Sequence, residues 1–325
     1  MKTEIFPVIL FLLLSTGISA RVVPLPEVIQ PHYISVDASQ LYICEHEKIS
    51  IYSLEDFKRL KKFGKKDEGP QEFKSAAFVN CQSDHLVVES TGKLSSFTKT
   101  GEFRDEIKNP YPLLKGFIPI GNQYVAWEYS YGGKNKVFIC SSKLKKIKEI
   151  FAEEKARKIG SMLEAAFRFR VYNNKVYIAS GKDFAVHVSD ITGKTLFSIT
   201  QEYKRIAFTR EHAKQFLEAY RKNPVTKEFY ESFKNIAQFP DYFPAIDDFF
   251  VADGKVYVQT HKVIDNKSEF FIFDENGKFL KTLFLPVVDK DFMTPAIFDI
   301  RNGKLYNLVE NEDTEESELH ISEID

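Results

Sequence analysis

Residues 253–286 alternate apolar and polar positions in short runs broken by turn signals. Asp253-Gly254 opens the run Val256-Tyr257-Val258, Phe271-Ile272-Phe273 forms a second run, and Glu275-Asn276-Gly277 leads into Phe279 to Leu285. Aromatic and β-branched residues at period two, separated by Asp-Gly and Asn-Gly pairs, predict strand, loop, strand, turn, strand. The pattern recurs along the chain. Turn-then-strand copies place their first apolar strand residue at Leu41, Leu86, Tyr124, Val176, Val256 and Leu305. A short run precedes each copy: Tyr33 to Val36, Ala76 to Val79, Gly116 to Ile120, Phe167 to Val171, Ile246 to Val251 and Ile297 to Ile300. Four strands per unit in six units predict an all-β chain folded as a six-bladed β-propeller.

The copies are 45, 38, 52, 80 and 49 residues apart. A blade occupies about 40 to 50 residues, so the fourth interval should hold an insertion. Residues Thr209 to Ala237 supply it. Ala213, Phe216, Leu217 and Tyr220 recur at helical spacing, Asn223-Pro224 interrupts, and Val225, Phe229, Phe233 and Ile236 resume. This predicts a helical hairpin between the fourth and fifth blades, its apolar stripe packed on the propeller. The last unit stops after three strands, so Arg21 to Val28 is expected to return as its outer strand, with Pro24 and Pro26 tolerated at a one-sided edge.

The first residues change the picture of the compartment. One lysine precedes an apolar run of about ten residues, Ile5 to Leu14, and a small-residue stretch ends at Ala20; this reads as a secretory signal peptide, because a bilayer span needs roughly 20 apolar residues. Residues 21–325 are then one exported domain, periplasmic or secreted, without a membrane span and expected to be a monomer. The 45 Lys and Arg against 46 Asp and Glu give a net charge of −1, which excludes the basic imbalance of a nucleic-acid binder. Aromatic residues make up 14% of the chain, 30 of them Phe, a composition that favours strands. Cys44, Cys81 and Cys140 sit in apolar runs without metal-ligand spacing and read as buried thiols, with a Cys44–Cys81 disulfide as the other reading.

The segment Phe63-Gly64-Lys65-Lys66-Asp67-Glu68-Gly69-Pro70-Gln71-Glu72-Phe73, the Asp-x-x-Gly-Lys turns and Pro240-Asp241-Tyr242-Phe243-Pro244 after the helical insert resemble the secreted bacterial six-bladed β-propellers, a pattern similar to the NHL-repeat group. The resemblance covers essentially the whole of residues 21–325. It implies a fold and an exported location, in a family of mixed function; that family more often has Gly at the places of Asp67 and Gln71. Read from its own residues, the 63–73 segment is a connector between blades.

Chemistry is sparse. There is no glycine-rich phosphate loop, no GxSxG and no HExxH, and the seven histidines are scattered. The acidic run Glu310 to Glu316 lacks calcium-loop spacing and reads as a hairpin tip. Polar residues on otherwise apolar inner runs are the candidates: Arg168 and Arg170, Asp247 and Asp248, and Asp299. Either they line the channel and hold a small ligand or ion, or they neutralise one another across blades. The insertion is richer in Lys and Arg than in Glu, which is expected to bias this face towards anionic partners such as acidic peptides or glycans, and it is expected to overhang one channel mouth and shape a pocket with Tyr242 and Arg168. The favoured function is a non-catalytic binding protein for a protein chain, glycan or small molecule, with no cofactor. The alternative is a metal-assisted hydrolase or lyase with a divalent metal on Asp247, Asp248 and Asp299, since propellers of the lactonase and amidating-lyase type place metal ligands in the channel.

Overall fold

The computed structural model describes residues 21–128, 134–152, 167–179 and 183–324; the expected signal peptide lies outside them. Among the described residues twenty-four strands form six four-stranded antiparallel sheets. The first strand, β1 (Arg21–Leu25), precedes the blade β2 (Tyr33–Val36), β3 (Gln40–Glu45), β4 (Lys48–Ser53) and β5 (Arg59–Phe63). The second blade is β6 (Phe78–Cys81), β7 (His85–Ser90), β8 (Lys93–Thr98) and β9 (Phe103–Lys108). The third is β10 (Leu114–Ile120), β11 (Gln123–Glu128), β12 (Lys136–Cys140) and β13 (Lys146–Ala152), and the fourth is β14 (Arg168–Tyr172), β15 (Lys175–Ala179), β16 (Ala185–Asp190) and β17 (Thr195–Thr200). The fifth is β18 (Asp248–Ala252), β19 (Lys255–Ile264), β20 (Lys267–Asp274) and β21 (Phe279–Leu285), and the sixth is β22 (Ile297–Arg301), β23 (Lys304–Glu310) and β24 (Ser317–Glu323).

The sixth blade is completed by β1, which pairs antiparallel with β24 from Arg21 opposite Ile321 to Leu25 opposite Ser317. The first strands of neighbouring blades adjoin at five of the six junctions, and between the second and third blades β10 lies against β7. Buried apolar side chains fall into six clusters, each between two adjacent blades. Apolar faces that no single four-stranded sheet could cover are thus covered by the next sheet. Cys44, Cys81 and Cys140 are free thiols. The 63–73 segment joins β5 to β6: Gly64 takes φ +90°, a Cβ there would lie 2.4 Å from the Glu47 carbonyl, and Lys93 Nζ donates to the Gly69 carbonyl at 2.7 Å.

Between β17 and β18 the chain forms one substantial helix, α1 (Arg210–Lys222), then a three-residue 3₁₀ turn (Lys227–Phe229) and a single turn, α2 (Tyr230–Phe233). The expected pair of amphipathic helices is therefore corrected to one helix and a short irregular return. The Thr209 side chain accepts from the His212 N–H, and His212 Nδ1 accepts from the Thr209 N–H at 3.1 Å, which starts α1. Asn223-Pro224 stops it, since proline removes the next backbone donor. Phe216 and Ala219 are buried, but Val225, Phe229 and Ile236 are 78%, 60% and 50% exposed, so of the second half of the expected stripe only Phe233 packs, stacked on Tyr220 at 4.2 Å. The two ends of the excursion are tied together. The Phe208 N–H donates to the Asp241 carbonyl and the Phe243 N–H to the Ile206 carbonyl, both at 2.9 Å. Among the described residues no helix is long and apolar enough to cross a membrane.

Candidate functional site

The inner-strand charges serve two different ends. Asp299 on β22 accepts the Val36 N–H of the neighbouring blade at 2.7 Å and the Ile300 N–H at 2.8 Å. Burial pushes its carboxyl up to about 6, against the pull of Arg301 and these two donors. Asp248 on β18 accepts from Arg170 Nη2 on β14 at 2.9 Å and lies 3.6 Å from Arg168 Nε. Both carboxylates stitch one blade to the next. Glu89 does the same on β7, accepting the Gly116 and Phe117 N–H groups of β10 at 3.0 and 2.8 Å. A divalent metal held by Asp247, Asp248 and Asp299 does not fit this arrangement, because two of the three are engaged by blade-joining donors. Among the described residues, no group of three His, Cys, Asp or Glu is placed to hold a metal ion.

Asp247 is different. Its N–H donates to the Gln259 carbonyl at 2.9 Å, at the entrance to β18, and its side chain lines a cleft of about 930 Å³. One wall is α1, through Glu211, His212, Gln215 and Ala219; the opposite wall is the 288–292 loop between β21 and β22, with Asp289 and Phe292. The floor comes from β19, where the pairing register with β20 shifts between Gln259 and Val263. A bulge of this kind re-aims side chains. Thr260, His261 and Lys262 sit on it and reach the cleft. Buried Glu269 holds the bulge in place, accepting from Thr260 Oγ1 at 3.0 Å and from Lys262 Nζ at 2.8 Å.

The aromatic contacts fix the walls. Phe208 stacks on Phe239, Phe216 packs 5.7 Å from Phe292, and Phe243 stacks on the His261 ring at 4.7 Å. The insertion is thereby clamped to the fifth blade and to the loop that enters the sixth. Tyr242 lies outside the cleft: it is exposed, pairs with Ala207 at the base of the insertion, and carries the Arg205 guanidinium 5.3 Å from its ring. Arg168, Asp248 and Asp299 do not line the cleft either. Of the six residues singled out in the sequence, Arg170 included, Asp247 alone does.

Electrostatics set the cleft floor apart. Burial pushes the Asp247 carboxyl up to about 7, with Asp248 adding to the shift and Arg168 opposing it. Burial pushes the His261 imidazole down to about 4, with Asp289 opposing. Desolvation also holds Asp289 above the usual carboxylate range, although its side chain is open to the cleft and accepts the Ala296 N–H at 2.9 Å. Among the described residues His261 Nε2 has no hydrogen-bond partner; the nearest Asp247 oxygen is 3.7 Å away, beyond bonding distance. Perturbed titratable groups converging in a cleft mark a candidate functional site. His261, Asp289 and Phe292 escaped the sequence reading. The available signal was the length of β19, ten residues where its counterparts have five to seven.

Known proteins share the fold at low identity. A candidate exported protein from Bacteroides fragilis superposes with a TM-score of 0.58 at 10% identity, over 94% of this chain and 95% of that one. A member of the DUF4221 family from Bacteroides vulgatus gives 0.56 at 10% identity, over 94% and 97%. At this identity the likeness is one of fold. No family model and no curated protein matches the chain, so the resemblance to the NHL-repeat group stands on residue pattern alone.

Proposed function

We propose that this chain is an exported, non-catalytic binding protein and that its ligand occupies the cleft between α1, the β19 bulge and the 288–292 loop. The observation that carries this reading is the bulge itself, which departs from the repeating blade and turns His261 towards Asp247 under a wall that the ring does not require. Long ordered excursions in compact folds are usually functional, and a cleft of about 930 Å³ lies within the range that encloses small molecules. The leader-like first twenty residues support export. Replacing residues 209–237 with a short Gly-Ser linker tests the reading, because the paired ends at Ile206 to Phe208 and Asp241 to Phe243 hold the base closed. In a thermal-shift screen of cationic, neutral and anionic small molecules, the linker variant should keep the β-sheet circular dichroism of the parent, less the helical signal of α1, and lose its ligands. Saturable binding that survives removal of the wall would overturn the assignment.

A further inference from the structure

We propose that the cleft takes a small organic cation, a primary amine or guanidinium on an apolar body, with its charged end seated between Asp247 and Asp289. The inference rests on the cleft being the ligand site and adds the chemical class. Its basis is which charges in the cleft already have partners. The lysines around it are mostly used: Lys262 pairs with Glu269 at 2.8 Å, Lys290 with Glu310 at 2.7 Å and Lys222 with Glu218 at 3.3 Å. The remaining lysine, Lys214, is exposed on α1, as is Glu211 one turn earlier, so the two offset each other at the rim. Asp247 and Asp289 have no such neutralisation. Asp247 accepts no hydrogen bond among the described residues, and Asp289 accepts only one from a backbone N–H.

The groups facing Asp247 from the packed elements are Asp248, which follows it at the start of β18, Arg168 on β14, His261 on the β19 bulge and Asp289 on the loop, while His212, whose Nδ1 accepts the Thr209 N–H, lines the same cleft from α1. Arg168 is the one fixed cation among them, and it is directed at Asp248, 3.6 Å away. His261 is neutral here and offers an unpartnered nitrogen. An acid without a close counter-charge in a desolvated site holds its proton to higher pH, and a bound cation draws that proton off. An ammonium group would supply the missing charge and donate to both carboxylates, while Phe292, Val288 and Val263 receive its apolar body. An anionic ligand would meet these acids, and a neutral one would leave them unpaired.

Binding should therefore release a proton, because Asp247 must ionise to pair. Calorimetry of the full chain with 1,5-diaminopentane, agmatine and phenethylamine, with hexanoate and maltose as anionic and neutral probes, tests this. At least one amine should bind saturably, with an affinity rising about tenfold from about pH 6 to about pH 8, since the amine itself stays charged and a group titrating near 7 ionises over that window. Heats measured in buffers of different ionisation enthalpy should report proton release at neutral pH. Asp247→Asn and, separately, Asp289→Asn should weaken amine binding at least tenfold, and Asp247→Asn should abolish both the pH dependence and the proton release, with the fold checked by circular dichroism. Failure of every amine to bind up to millimolar concentration overturns the cation, as does amine binding indifferent to pH and to Asp247→Asn. Saturation by maltose or hexanoate, lost in the 209–237 linker variant, would overturn the cation while leaving the cleft as the ligand site.

Discussion

Asp247 and His261 face each other across 3.7 Å with opposite shifts, and the signs of the two effects on stability differ. Asp247 ionises near 4 when unfolded and near 7 when folded, so the folded state holds the extra proton between those values. Its contribution to stability is full below about pH 4 and is lost as pH rises through about 7, by up to about 1.4 kcal/mol per pH unit. For His261 the unfolded state binds the proton first, near 6.5, so its contribution is full above that value and is lost as pH falls towards 4. Between about pH 4 and about 6.5 the two slopes oppose, and this pair should leave stability nearly flat. Asp247→Asn unmasks the histidine: its urea midpoint should fall on acidification below pH 6.5. His261→Gln should do the reverse and lose stability as pH rises from about 4 to about 7. Parallel pH profiles in both variants would show that these groups are not the ones titrating.

In the excursion between β17 and β18, burial and sequence pattern part company. Phe216 on α1 is 3% exposed and packs among Tyr220, Phe233, Phe239 and Phe292, whereas Phe229 is 60% exposed. Truncating a buried aromatic side chain costs about 3–5 kcal/mol, while an exposed one away from special features costs within about 0.5 kcal/mol. Phe216→Ala should therefore free α1 at low urea concentration and collapse the cleft wall, and Phe229→Ala should leave the unfolding curve unchanged. Limited proteolysis near Arg221 and Lys222 reads the same difference. Equal protection of both variants would mean that α1 is held by something other than its aromatic face.

Over the whole molecule, closure joins the two ends of the described chain, Arg21 to Leu25 against Ser317 to Ile321. Val28 and Leu25 enter the cluster between the sixth and first blades, and Ser317 Oγ donates to the Val28 carbonyl at 2.9 Å. Without β1, the outer edge of β24 has no strand partner and that junction loses part of its cover. Deleting residues 21–25 should lower the melting temperature by several degrees and broaden the transition, measured by calorimetry. An unchanged melt would show that the ring holds without this strand.

The period-two runs and the Asp-Gly and Asn-Gly turns carried the blades, their number and the returning strand, because strand formation and turn type depend on residues a few positions apart. The 80-residue interval located the excursion, but not how much of it is helix. The pattern 225, 229, 233, 236 has helical spacing, but only Phe233 finds a surface, on Tyr220 and Phe216, so it remains one turn. Asp247 was legible as a polar residue on an inner run. Its distinction from Asp248 and Asp299 was not, since it depends on whether Arg170 of one neighbouring blade or Val36 of another reaches the carboxylate, across 78 and 263 residues of sequence. His261 and Asp289 were likewise invisible as a pair. Only the bulge in β19 and the loop opposite it, folded over the same floor, bring them to Asp247, and burial there, not residue type, displaces their titration.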